Sequence, residues 1–156
     1  MLMQDLTQLF ERDLQRLTQE IDAYADPADL WRVAEGIRNS AGSLCRHVVG
    51  NLNAYIGSTL GHTGYVRDRE GDFGAPPVSR AVLRRALGDT RRMVQEILTA
   101  LPAAQLLAPY PVDVLGYPMT TQYFLMHLHG HLTYHLGQVD YHRRLLTKQG
   151  ALAFVN

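Results

Sequence analysis

His127-Leu128-His129-Gly130-His131-Leu132-Thr133-Tyr134-His135-Leu136-Gly137-Gln138-Val139-Asp140-Tyr141-His142 holds five of the seven histidines in a chain of 156 residues. Wound as an α-helix at about 100° per residue, His127, His131, His135 and His142 fall within an arc of roughly 80°. Leu125, Leu128, Leu132, Leu136 and Val139 fill the adjoining arc, so the imidazoles run along the edge of an apolar stripe. His129 points elsewhere and is expected to face solvent. A helix of this kind buries one side in a bundle and presents nitrogen donors to the interior. Thr120 or Thr121 starts it, and the periodicity carries it to about Lys148, with Gly150 as terminator.

Downstream, Ala151-Leu152-Ala153-Phe154-Val155 is apolar and is expected to dock on the bundle or on a neighbouring subunit. Upstream, residues 102–119 hold four prolines and Gly116 and read as a loop, with Tyr110, Leu115 and Tyr117 pinning it or walling a pocket. Before that, Ser79 caps a helix whose Val82, Leu83, Leu87, Val94 and Ile97 face inward. Arg80, Arg84, Arg85, Arg91 and Arg92 decorate its outside. Residues 61–78 form a second long loop by their Gly and Pro content. Its Arg67, Asp68, Arg69 and Glu70 read as self-paired charges on a solvated crossover. Arg67 and Arg69 are also the candidates there for binding an anionic group of a substrate.

Further upstream, Asn39 or Ser40 caps a helix with a stripe from Leu44 to Leu60, ending near Gly61. His47, Gly50, Asn51 and Ala54 share a second strip of that helix, where small residues leave room for another side chain, a metal or a ligand. Residues 27–38 are a connection anchored by Trp31, Val33 and Ile37. The chain opens with an amphipathic helix from Leu2 to Tyr24, stopped at Asp26-Pro27. Four helices, two long connections and no strand pattern make an all-α, four-helix bundle, expected as one domain over 1–156.

Fifteen basic and fifteen acidic residues cancel. A neutral chain has no electrostatic case for sequence-independent binding to nucleic acid or anionic lipid. Cys45 is the only cysteine, so no intrachain disulfide forms and a reducing compartment is the simpler setting. It reads as a small core residue. No apolar run approaches membrane-spanning length, and Met1-Leu2-Met3-Gln4-Asp5-Leu6 lacks the pattern of a signal peptide. A cytoplasmic protein with no membrane contact is the expectation.

His131 and His135, four apart on one helix, project side by side as a chelating pair suited to zinc, nickel, iron or copper. A third ligand has to come from another helix. His47 is the only histidine on the interior of the second helix, and His62 lies in a loop. His127 and His142 compete for the role, but each is one to three turns from the pair. Both are expected instead as partly buried histidines bonded to a hydroxyl or carboxylate. Asp140 leaves the histidine arc, so no carboxylate beside the metal and no general base is evident.

Two segments resemble the DinB/YfiT-like superfamily of metalloenzymes. One is Asn39-Ser40-Ala41-Gly42-Ser43-Leu44-Cys45-Arg46-His47-Val48-Val49-Gly50-Asn51-Leu52. The other is His131-Leu132-Thr133-Tyr134-His135-Leu136-Gly137-Gln138, similar to the family's histidine, three residues, histidine, then Gly-Gln. The resemblance implies a four-helix bundle, commonly a homodimer, with a divalent metal (Zn, Ni or Fe) held by His47, His131 and His135. Gln138 matches the family's glutamine. Characterised relatives include transferases and isomerases that use low-molecular-weight thiols such as bacillithiol or mycothiol.

Three neutral imidazoles leave the ion's charge uncompensated and a coordination position open, the arrangement of catalytic sites. Such a site activates either a water or a thiol; the family resemblance implies the thiol, so the expected function is a metal-dependent transferase or related enzyme joining a small thiol to an electrophilic small-molecule substrate. Gln138, Asn51 and Tyr134 are the candidates for supporting the ligands. The competing expectation is a non-catalytic, metal- or ligand-binding dimeric bundle associated with stress.

Overall fold

Ser40, Ser79 and Thr120 each turn a side-chain oxygen onto the backbone amide three residues on, at Ser43, Val82 and Tyr123. Each cap satisfies an amide that has no partner within its own helix, which fixes where the helix begins. In the computed structural model, which describes residues 2–154, the four long helices are α1 (Leu2–Asp22), α2 (Ala41–Leu52), α3 (Arg80–Ala100) and α4 (Thr121–Thr147). They form a four-helix bundle, with no strand among the described residues.

Helix α2 runs without a break into a π-helical stretch, Asn53–Ser58, and closes with an α turn, Thr59–Gly61. Asn53 donates from its side chain to Val49 O and to Thr90 Oγ1 on α3, both at 2.8 Å, which binds the two helices where the winding changes. The terminators differ from expectation. His62 (φ 53°) and Lys148 (φ 59°), rather than Gly61 and Gly150, take the left-handed conformation. Lys148 donates its backbone N–H to Arg144 O, so the helix closes two residues before the glycine.

One side of each helix supplies the core. Leu6, Phe10, Leu14, Leu17 and Ile21 of α1 meet Leu83, Leu87, Val94 and Leu98 of α3 and Leu125, Leu128, Leu132 and Val139 of α4. Cys45 is buried in the same core. In the 27–38 connection the anchors are Leu30 and Trp31, whereas Val33 and Ile37 are exposed. Trp31 lies flat on Gly42, where a Cβ would stand 2.6 Å from its ring, and donates from Nε1 to Val78 O. Val82, expected inward, is exposed. Arg80 turns in and donates to Asp22 O and Tyr24 O instead of facing solvent.

The long loops are better ordered than their composition implies. Residues 61–78 contain a helical turn, Gly71–Gly74, and residues 102–119 contain another, Ala103–Leu107. Tyr110 is buried and donates to Tyr55 O, so it pins its loop. Tyr117 remains exposed. The tail docks on its own bundle: Gly150 O accepts from Arg143, and Phe154 lies under the Arg16 guanidinium. Val155 falls outside the described residues. No helix among the described residues is long and apolar enough to cross a membrane.

Candidate metal centre

His131 and His135 stand one turn apart on α4 and face His47 across the α2–α4 contact. Nε2 of His131 lies 3.1 Å from Nε2 of His47 and 3.1 Å from Nε2 of His135. All three rings are half-buried, and they are the residues that could hold a metal together. Zinc bound tetrahedrally to nitrogen at 2.0–2.1 Å separates its donors by about 3.3–3.4 Å. The observed spacing is within a few tenths of that value.

The outward nitrogens show why this donor set suits a cation. His135 Nδ1 lies 2.7 Å from Gln138 Oε1, to which it donates. His47 Nδ1 lies 3.3 Å from Asp72 Oδ2, also an acceptor. With protons held on those Nδ1 atoms, the Nε2 lone pairs of His47 and His135 both turn toward His131 Nε2. Positive charge on the rings themselves is disfavoured. Burial and the neighbouring imidazoles push the His131 pKa down to about 4. Burial, then the charges of His135 and Arg67, lowers His47 against the pull of Asp72. Burial likewise lowers His135, with the Gln138 bond opposing it. Neutral imidazoles are what a divalent ion requires.

Asp72 is the residue that the sequence reading missed. It lies on the Gly71–Gly74 turn, almost fully buried, and accepts from Arg67 Nη2 at 2.7 Å and Nε at 3.2 Å. Arg67 is equally buried, so its charge belongs to Asp72 and not to a solvated crossover. Arg67 Nη2 also approaches His47 Nδ1 to 3.0 Å. The close approach needs Gly50, one turn from His47, where a Cβ would lie 2.7 Å from Asp72 Oδ1. The expectation that no carboxylate stands beside the histidines is therefore corrected. The available signals were the glycine on the His47 strip and the acid of Gly71-Asp72-Phe73-Gly74.

The other predicted residues divide. Asn51 is buried one turn beyond His47, and its Oδ1 has no hydrogen-bond partner among the described residues. Tyr134 is exposed, with its ring edge-on to His135 at 5.3 Å. Arg69 lies on the exposed loop surface, whereas Arg67 is at the site. His127 is exposed and stacked on Phe124 at 5.7 Å, not bonded in the interior as expected. His142 does meet expectation: Tyr24 Oη lies 2.6 Å from its Nδ1, and its Nε2–H donates to Arg32 O at 2.8 Å. His129 corrects the reading of a solvent-facing residue. Its Nε2 lies 3.1 Å from the buried carboxylate of Asp13, which also accepts from Thr133 Oγ1 and Arg12.

Comparisons with known proteins agree with this architecture. The family model described as the DinB superfamily matches residues 8–139. A crystal structure of a DinB-like protein from Bacillus cereus superposes with a TM-score of 0.72, covering 96% of this chain and 95% of the other at 18% sequence identity. That likeness is one of fold. No curated protein sequence matches at a significant level.

Proposed function

The chain belongs to the DinB superfamily, and from that footing we propose that it is a divalent-metal-dependent enzyme acting on small molecules through His47, His131 and His135. The observation that carries the reading is the gathering of three imidazoles, with His131 Nε2 at 3.1 Å from Nε2 of both His47 and His135 and the candidate ligand atoms all within 4.8 Å of one another. A divalent ion of zinc, nickel or iron there supplies Lewis acidity, which makes a bound thiol or water a nucleophile near neutral pH. The favoured reaction is transfer of a low-molecular-weight thiol to an electrophilic carbon: the S–H proton passes to solvent, sulfur bonds to the carbon, and the carbon's leaving group departs with the electron pair of the broken bond.

This chain's own side chains supply the rest. Asp72 accepts the His47 Nδ1 proton and Gln138 accepts that of His135, which fixes both rings with Nε2 toward the ion. Arg67 holds Asp72 in place. Asn51 is buried one turn beyond His47 on the same strip of α2, and Tyr134 covers the outer face of His135. A second copy of the chain is the partner proposed for the outward face of α4, where Tyr123, Met126 and Tyr134 are exposed. A neutral chain gives nucleic acid no electrostatic hold, and no such partner is proposed.

Elemental analysis of untagged protein tests the site: near one equivalent of metal per chain is expected, with loss in His131→Ala. Activity is tested separately. The loaded protein, given bacillithiol, mycothiol or glutathione and a test electrophile such as a chlorobimane, should consume thiol faster than metal-free protein does. Stoichiometric metal without thiol consumption across such a panel would replace the enzyme with a binding module.

A further inference from the structure

A concavity lies one helical turn along α2 and α4 from His47 and His135, neither of which lines it. It is a cavity of about 340 Å³ between the 36–39 connection and the last turns of α4, at the small end of the range of about 300–1,000 Å³ for small-molecule sites. Two of its lining residues each stand one helical turn from a candidate ligand: Leu44 precedes His47 on α2, and Gln138 follows His135 on α4. Gln138 therefore belongs to both sites. Its Oε1 faces His135 Nδ1, which leaves its amide NH₂ for a ligand.

The lining chemistry selects the ligand. Arg38 and Asn39 stand on one rim, and with the Gln138 amide they make a set of donors. No carboxylate lines the cavity among the described residues. His142 contributes no free polar atom, because Tyr24 and Arg32 O engage both of its ring nitrogens. The remaining walls are apolar. Ile37, Tyr141 and Leu145 are exposed hydrophobic side chains that bound this space.

We propose that this cavity binds an organic anion with an apolar body, its charged end on Arg38 and its body against Tyr141 and Leu145. Resting on the metalloenzyme reading above, that anion is the co-substrate brought beside the three-histidine site. Arg38 sets the sign of the charge that is accepted, and the aromatic and aliphatic wall sets the body. Gln138 links the two compartments: a ligand that engages its amide acts on the orientation of His135.

The probe is 4-phenylbutyrate, with 4-phenylbutylamine as a body of the same shape and opposite charge. Calorimetric titration of the untagged, metal-loaded protein should give saturable binding of the carboxylate and none of the amine. Arg38→Glu should weaken carboxylate binding by about tenfold or more, and Leu145→Trp, which fills the cavity, should abolish it. Both positions are exposed, and circular dichroism verifies that the variants fold. With cobalt in place of zinc, the ring protons of the bound probe should relax faster, as proximity to the histidines requires. Absence of saturable binding, equal binding of the amine, or indifference to both substitutions overturns the proposal. Elemental analysis decides the metal reading separately, since a chain that takes up no metal but binds the carboxylate with this Arg38 dependence retains the anion cavity and loses only its role as co-substrate site.

Discussion

Asp72 and Arg67 place opposite demands on one atom, His47 Nδ1. The carboxylate accepts a proton from it, whereas the guanidinium offers it one. Binding a metal at Nε2 settles the contest, because only the tautomer with its proton on Nδ1 has a free Nε2 lone pair. Asp72→Asn should therefore weaken metal affinity by about 10–100-fold, and it should also lower the melting temperature of the metal-free protein, because the buried Arg67 guanidinium loses its carboxylate. Competition with a chromophoric chelator measures the affinity. Gly50→Ala should do the same by a different route, since its Cβ would stand 2.7 Å from Asp72 Oδ1 and displace it. A Gly50→Ala protein with unchanged affinity would show that Asp72 does not need its observed position.

The burial that depresses these imidazoles also sets a pH dependence. His131, held to about 4, and His142, lowered mainly by burial, stay neutral in the fold at pH values where the unfolded chain takes up protons near 6.5. The stability they contribute is present above pH 6.5 and is lost as pH falls through the folded values. Denaturation midpoints in the metal-free protein should fall steadily from pH 7 toward pH 4. A flat profile over that interval contradicts the assignment of neutral, buried rings.

At the scale of elements, the histidine helix was legible because its evidence is local. A 3.6-residue period is visible within a few turns, and a threonine or serine before an apolar run marks a helix start wherever it occurs. His129 was misread for the opposite reason. Its partner, Asp13, lies 116 residues away, on α1, and no local pattern announces that pairing. Arg67 resembled one more charge in a charged run, and its burial depends on how the 61–78 loop folds back over Gly50. The helix ends fell near Gly61 and Lys148 as expected, and only the left-handed residue at each end was misassigned, because glycine is the easiest left-handed residue, not the only one available. The π-helical stretch of α2 left no mark that periodicity could detect.

The same scale carries a stability prediction. Arg143 of α4 and Glu20 of α1 form an ion pair with both side chains wholly buried. Among the described residues, Glu20 Oε1 and Arg143 Nη1 have no hydrogen-bond partner. Truncating one member leaves an uncompensated charge in the core, so Arg143→Met alone should cost about 3–5 kcal/mol. The double replacement Glu20→Met with Arg143→Met should recover most of that loss. Urea denaturation of the single and double variants measures both effects.

For the whole molecule, a metal at this site joins residues 84 positions apart in sequence. An ion that binds the folded chain and not the unfolded one stabilises by mass action, by about 4 kcal/mol at a thousandfold excess over Kd. For a chain of this size the melting temperature should rise by roughly 8–16 °C on loading. Calorimetry with and without a chelator reads that shift, and a rise that survives His131→Ala would place the ion elsewhere.

The separation of His47 from His131 and His135 also imposes an order on biosynthesis. A nascent chain that has emerged only through α3 exposes a single member of the trio, and any ion it captures is held by one imidazole and whatever else lies nearby. The full grip exists only after α4 has left the ribosome and packed against α2. Loading of a metal by these histidines would therefore come late in the life of each molecule, and the ion taken up would be set by what the finished fold encounters.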